Sequence, residues 1–297
     1  MAKLPKGEAM MIDIKEIETH VLQFHIIGTS PLILNRFSFK ARQQLLLPPI
    51  PTNRAERNLT LKHDPEEEFR SAVYLNRDPK RPAAFHLPNG MFHKSLGAAA
   101  LDIPGAKRTQ IERLTKITDV NIDLFGIPRL FMAMVRNSDI NKTPDVRTRP
   151  IMEEWACKIT VKYVAGTLTE RTIAHLLNAA GEIIGIGDWR GEKGGPYGAY
   201  RVVNENDADW SRIVRTMGRK AQEKALANPV CFDADSEELL AWFHAEVSKR
   251  ERTQQLAGSK KGARGTERRG RGRPKLEILS PLTGKAKGAN GARRNAA

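Results

Sequence analysis

Apolar and polar residues alternate over several short stretches of this chain, a pattern typical of β-strands with one buried face. The first stretch, residues 18–28, alternates Leu22, Phe24 and Ile26 with more polar positions. Residues 130–135 are apolar throughout and predict a strand that is buried on both faces. The predicted strands are residues 18–28, 120–124, 130–135, 154–164 and 200–203.

Helices are predicted where apolar residues recur every three to four positions. The clearest start is Asp64 followed by Pro65, because aspartate caps a helix N-terminus and proline suits the first turn. Either Thr167 or Thr169 caps a later helix that extends to Ala180. The other predicted helices are residues 38–47, the second half of 86–101, 108–116, 207–226 and 235–250.

Without its insertions the chain follows the order β, α, β, β, α, β. This order predicts an α+β fold, a ferredoxin-like or RRM-like antiparallel sheet with helices on one face. We expect residues 12–248 to form this core, with helical insertions and two appended C-terminal helices. The length allows one large core or two smaller ones, and one elaborated domain is preferred.

A glycine-rich segment, residues 185–202, joins the last core helix to the last strand. Glycine lets backbone approach a ligand closely, tyrosine and tryptophan rings stack on bases, and cations bind phosphates. The alternative is a glycine-rich hairpin whose tyrosines only cover the edge of the core. The residues predicted to bind nucleic acid here are Trp189, Arg190, Lys193, Gly194, Gly195, Tyr197, Gly198, Tyr200 and Arg201.

A second basic stretch precedes the strand at residues 154–164. It contains Arg147 and Arg149, with Arg136 and Lys142 nearby. These side chains are predicted to face bound phosphates, and a solvated loop is the alternative.

The net charge of +15 comes mostly from the C-terminus. Residues 249–297 hold 15 Lys and Arg against 3 Glu and have few apolar residues, so we expect a disordered tail. Within it, Arg271, Gly272, Arg273 and Pro274 resemble an AT-hook, which lays arginines into the narrow minor groove of A/T-rich duplex DNA. A tail that binds polyanions without sequence preference is the alternative.

Cysteine content and hydropathy indicate in which cellular compartment the protein is found. Cys157 and Cys231 are far apart and form no CxxC motif, which excludes a disulfide framework and a zinc-knuckle pattern. Neither a signal-peptide core near the N-terminus nor an apolar run of about 18 residues occurs. We therefore expect a cytoplasmic protein that does not contact the membrane.

Two short motifs resemble those of one known family. Gly28-Thr29-Ser30-Pro31-Leu32 follows the first strand, and residues 194–200 place an aromatic residue among glycines before the closing strand. Over residues 18–204 the chain is similar to the RAMP superfamily, the RNA-binding subunits of CRISPR effector complexes and their relatives. The resemblance implies an RRM-like fold that holds single-stranded RNA, often as a repeating backbone subunit. The AT-hook-like tail departs from this pattern and favours a phage or mobile-element relative.

No catalytic, metal or cofactor residues are assigned from the sequence. Metal-binding HExxH and CxxC motifs are missing, and the glycine segment lacks the Gly-Lys-Ser/Thr ending of a P-loop. The resemblance also implies that a histidine beside a lysine can cut RNA without metal in some relatives. The histidines considered for that role are His20, His25, His86 and His93.

The sequence thus predicts a nucleic-acid-binding protein that holds single-stranded RNA or DNA on its core and assembles along it, with a tail that adds DNA affinity. Two alternatives stay open. One is a metal-independent RNA-processing endonuclease of the same fold. The other is an AT-hook architectural or regulatory DNA-binding protein whose folded body binds another protein.

Overall fold

A computed structural model describes residues 16–37, 42, 43, 46, 63–136 and 143–267, with residues 253–267 as backbone alone. The described residues divide into two compact units, one ending at Trp242 and one beginning at Phe243. Most of the predicted helix at 38–47 and the whole AT-hook-like motif at 271–274 lie outside the described residues.

The fold is a mixed α+β fold with antiparallel sheets and, among the described residues, seven helices. The strands are β1 (Thr19–Gly28), β2 (Leu32–Ile33), β3 (Phe85–Pro88), β4 (Thr115–Ile117), β5 (Asn121–Gly126), β6 (Arg129–Arg136), β7 (Pro144–Met152), β8 (Trp155–Val164) and β9 (Tyr200–Val203). The helices are α1 (Pro65–Ser71), α2 (Gly90–Ala99), α3 (Arg108–Leu114), α4 (Glu170–Ala179), α5 (Ala208–Thr216), α6 (Arg219–Ala227) and α7 (Ala234–Glu267).

The larger sheet has the strand order β3-β5-β8-β1-β9, and β4 also pairs with β8. All of its pairings are antiparallel, with Thr19 opposite Val164 and Gly28 opposite Tyr200. Alternation along the strands separates two faces. Ile26 packs in the main core with Leu96 of α2 and Leu177 of α4, whereas Ile27 packs on the other face with Ile213 of α5.

A second sheet has the order β2-β7-β6 and was only partly predicted. No separate strand was expected at residues 144–152, where prolines and charges mask the alternation, and this segment is β7. The prediction that residues 130–135 are buried on both faces is wrong. Met134 is 82% exposed, because the face of β6 that carries Met134 and Arg136 is turned toward solvent.

Helix starts follow the predicted caps. The Asp64 carboxylate accepts the Glu67 N–H at 3.1 Å, and Thr169, not Thr167, accepts the Thr172 N–H at 3.2 Å.

The C-terminal helices differ from the prediction in two places. The helix expected over residues 207–226 is two helices, α5 and α6, divided at Gly218. The last helix, α7, continues to Glu267, so the boundary drawn at residue 249 for a disordered tail falls inside a helix. Among the described helices, none is both long and apolar enough to cross a membrane.

Candidate nucleic-acid interface

The part of the glycine-rich segment that precedes β9, residues 185–199, is hydrogen-bonded to the turn between β1 and β2 and to β2 itself. The Gly198 N–H donates to the Pro31 carbonyl at 2.8 Å, and the Asp188 N–H donates to the Ile33 carbonyl at 2.9 Å. Within the segment, the Ile186 N–H donates to the Gly198 carbonyl at 2.9 Å. These backbone bonds tie both halves of the segment to the sheet, so its side chains project from a fixed loop.

Close backbone packing accounts for two of the three predicted ligand-facing glycines. A Cβ on Gly198 would lie 1.8 Å from the Ile186 carbonyl oxygen, and one on Gly195 would lie 1.8 Å from the Trp189 carbonyl oxygen. Both positions must therefore be glycine for internal reasons. Gly194 differs, since no atom lies within 4 Å of its Cβ position. Of the three, Gly194 alone leaves its Cβ side open to a ligand.

Trp189 is the most unusual residue of the segment. It has a φ of 51°, the one positive φ of a non-glycine residue in the described part of the chain, and 43% of its surface is exposed. Its ring lies 5.6 Å from that of Tyr197, at an interplanar angle of 51°. Tyr197 is half-buried and also contacts Phe131 of β6 at 6.4 Å. The pair thus presents an indole toward solvent with a tyrosine behind it.

Tyr200 does not join this aromatic pair, and its predicted role as a stacking surface is wrong. Its ring is 2% exposed and lies 5.4 Å from Phe92 and 6.3 Å from Trp155, in the main core. Burial raises the pKa of its hydroxyl far above the usual value. Strand alternation turns the next residue, Arg201, to the opposite face, where it lies 3.7 Å from Asp207.

The remaining cations of the segment share one carboxylate. The Arg190 guanidinium forms an ion pair with Glu192 and donates to the Gly187 carbonyl at 3.2 Å. Lys193 lies 4.0 Å from the same carboxylate, with 63% of its side chain exposed. Two cations against one anion leave this part of the loop positive.

The two predicted arginines of the basic stretch lie on β7, and their i, i+2 spacing puts them on one face. Arg149 forms an ion pair with Asp188 of the glycine segment, and burial lowers the pKa of its guanidinium. Arg147 lies 3.0 Å from Asp145. Arg149 therefore joins the smaller sheet to the glycine segment, and Arg147 extends the row along β7.

A cavity of about 430 Å³ lies between α2 and the glycine segment. Lys94, Arg108 and Arg190 line it, together with residues 185–187. Sequence reasoning missed Lys94 and Arg108, because helix periodicity separates exposed from buried positions and does not tell which exposed cation borders a cavity. Arg108 pairs with Glu112 at 2.8 Å, and Lys94 forms no ion pair with any of the described residues.

The histidines are distributed over separate surfaces. His25 lies directly opposite Lys158 on the neighbouring strand, with its ring 4.5 Å from that of Trp210. The ring of His93 contacts the Glu112 carbonyl oxygen at 3.1 Å. Among the described residues, no group of three or more histidine, cysteine or acidic side chains is arranged to hold a metal ion.

Comparison with known proteins adds no relative, since no protein-family model and no curated protein matches the sequence. A function is therefore inferred from the geometry of the glycine-rich segment, its aromatic pair and its neighbouring cavity.

Proposed function

We propose that this protein binds single-stranded nucleic acid, RNA or DNA, on a ferredoxin-like core through the glycine segment. Four strands of the larger sheet support the core assignment. If β1, β5, β8 and β9 are numbered first to fourth, their spatial order β9-β1-β8-β5 is fourth, first, third, second, the ferredoxin-like order. Three helices, α1, α2 and α3, lie between the first and second of these strands, and α4 lies between the third and fourth, which supports a ferredoxin-like core with insertions.

The observation that carries the proposal is the backbone of Trp189. A bulky residue at positive φ costs free energy, on the order of 1–3 kcal/mol, and such strain is concentrated at functional sites. Here the strained residue holds a half-exposed indole against Tyr197, on a loop fixed by backbone hydrogen bonds. An exposed, rigidly held ring beside Arg190 and Lys193 is the arrangement that stacks a base and contacts its phosphate.

The resemblance to RAMP proteins supports a further expectation, assembly of several copies along one strand in the cytoplasm. Such assembly predicts that the number of bound subunits rises with the length of the oligonucleotide. Sedimentation of the protein with strands of increasing length measures this stoichiometry.

Fluorescence anisotropy with labelled single-stranded RNA, single-stranded DNA and A/T-rich duplex tests the main proposal. Trp189→Ala is the informative variant, and Trp242→Ala is its matched control, because Trp242 is an exposed tryptophan of α7. We expect Trp189→Ala alone to weaken single-strand binding. Equal affinities of wild type and both variants would remove the glycine segment from the binding site.

A second candidate function, metal-independent cleavage of RNA, is favoured by one observation. His25 lies opposite Lys158, which joins an imidazole to a cation that stabilises negative charge on phosphate. Incubation with labelled RNA in EDTA tests it. Cleavage that disappears in both His25→Ala and Lys158→Ala would support this function, and intact RNA with the wild-type protein would exclude it.

A further inference from the structure

A second cavity, of about 520 Å³, lies at the edge strand β3, and Trp189 is not among the residues that line it. Three arginines line it, Arg36, Arg77 and Arg81, with Tyr74 and His86 between them. Tyr74 also borders the cavity beside the glycine segment, so the two cavities are neighbours. We call this second cavity the arginine cleft.

The charge of the arginine cleft is only partly neutralised. Arg81 is engaged, since its Nε lies 3.0 Å from the Asp123 carboxylate and its Nη2 donates to the Asn121 carbonyl at 3.2 Å. Asp78 is also part of the lining. Within the described part of the chain, Arg36 and Arg77 form no ion pair. The Arg36 Nη1 donates to the Val73 carbonyl at 3.4 Å, which leaves the rest of its guanidinium and that of Arg77 for an anion.

The loop that carries Arg77 and Arg81, residues 74–84, is held rigidly from α6. The Arg219 guanidinium donates to the carbonyls of Asp78 at 2.7 Å, Arg81 at 2.8 Å and Ala83 at 3.1 Å. A buried amide side chain, that of Gln222, accepts the Ala84 N–H at 2.7 Å.

A second buried amide fixes the loop from within. The Asn76 side chain donates to the Ala83 carbonyl at 3.0 Å and to the Phe85 carbonyl at 3.1 Å. Several buried polar groups are thus used to set the shape of one short loop. A preorganised loop binds its ligand without the entropy cost of ordering itself.

The aromatic pair of the cleft adds a surface for a ring. The rings of Tyr74 and His86 lie 5.8 Å apart at an angle of 56°. Burial, and then the charges of Arg81 and Arg36, hold the pKa of His86 below its usual value, so the ring is neutral at pH 7. The Nδ1 atom of His86 is buried and has no hydrogen-bond partner among the described residues. His86 thus lines the cleft as a neutral ring that adds no positive charge to that of the arginines.

From these features we infer that the arginine cleft binds the phosphate of a nucleotide, with the base against Tyr74 and His86. Guanidinium groups match phosphate oxygens in planar, paired hydrogen bonds. The volume of the cleft falls within the range of pockets that bind small molecules such as nucleotides. The phosphate belongs either to a free nucleotide or to the end of a strand, and the same contacts serve both. This site does not require the glycine segment to bind nucleic acid.

Calorimetric titration of the full chain with AMP, adenosine and inorganic phosphate tests the inference. We expect saturable AMP binding, at least about tenfold weaker binding of adenosine and of phosphate, and a similar loss in Arg77→Ala. Arg77→Lys should recover part of the affinity. The control is Arg215→Ala, which removes an exposed arginine from α5 and should leave AMP affinity unchanged. NMR titration should show the pKa of His86 rising when AMP binds, because the phosphate offsets the arginine charges.

Three results would overturn the inference: no saturable AMP binding, equal losses in Arg77→Ala and Arg215→Ala, or adenosine binding as tightly as AMP. A tetranucleotide with and without a 5′-phosphate separates the two sources of the phosphate. Trp189→Ala separates the two sites. It should leave AMP binding intact, so failure of the single-strand proposal and failure of the arginine cleft appear in different titrations.

Discussion

The indole of Trp189 and the phenol ring of Tyr197 lie 5.6 Å apart, with the tryptophan toward solvent and the tyrosine against Phe131. The two rings have different roles. The exposed ring is free to contact a base, whereas the half-buried ring also stabilises the smaller sheet.

Alanine substitutions should distinguish a ring that contacts a base from a ring that packs in the main core. Trp189→Ala is expected to weaken single-strand binding by about 1–3 kcal/mol and to change the melting temperature little. Tyr200→Ala should instead cost about 3–5 kcal/mol of unfolding free energy, because its ring fills the main core. Anisotropy and thermal melting of both variants make the comparison. Normal affinity per folded molecule for Trp189→Ala would contradict the stacking role.

The close packing of Gly198 predicts a large decrease in stability on substitution. An alanine there would meet the Ile186 carbonyl oxygen and adopt a φ near 76°, so we expect Gly198→Ala to lower the unfolding free energy by more than about 2 kcal/mol. Gly90→Ala is the control. Gly90 lies at the start of α2 with no atom within 4 Å of its Cβ position, so the alanine should raise the unfolding free energy by up to about 1 kcal/mol. Urea unfolding measures both, and equal effects would mean that the loop relaxes around the new methyl group.

The lowered pKa values of two histidines predict how the unfolding free energy depends on pH. Burial lowers the pKa of His25 and of His86 below the ordinary value of about 6.5. The unfolded chain therefore binds protons that the folded chain does not, and stability should fall as the pH decreases from 7 toward 5. Urea unfolding at several pH values measures the slope. His86→Gln together with His25→Gln should flatten it in that window, and an unchanged slope would assign the effect to other groups.

The AT-hook-like motif predicts a preference for one kind of duplex. If Arg271 and Arg273 enter a narrow minor groove, changing both to alanine should weaken binding to A/T-rich duplex more than to G/C-rich duplex. Deletion of residues 268–297 is the companion variant, since α7 ends at Glu267. It should reduce the salt dependence of duplex binding by about 0.9 in slope for each phosphate that the tail no longer neutralises. An equal decrease on both duplexes would reduce the motif to a general polyanion-binding segment.

Periodicity was enough to predict most of the larger sheet. The strand β8 alternates Trp155, Cys157 and Ile159 with other residues, and each of these three side chains is buried. The strand β7 was not predicted, because its charged residues lie between Pro144 and Pro150, and such a composition is typical of loops.

The candidate site was predictable only in part. Composition identified the glycine segment, but the direction of Tyr200 depends on which face of β9 meets the core, and periodicity within four residues does not decide that. The arginine cleft had no sequence signal. Arg36, Arg77 and His86 come from separate segments, which backbone hydrogen bonds bring together: the Arg36 N–H donates to the Ala72 carbonyl at 3.0 Å and the His86 N–H donates to the Tyr74 carbonyl at 2.9 Å.

The central position of β1 has a consequence for synthesis on the ribosome. Both of its neighbours, β8 and β9, are made long after it, since Thr19 pairs with Val164 and Gly28 pairs with Tyr200. Pairings so distant in sequence slow folding, because a long loop must close before any of them forms. A nascent chain that ends before residue 155 therefore exposes both edges of an apolar strand, and such fragments should bind chaperones or aggregate until translation has passed β9.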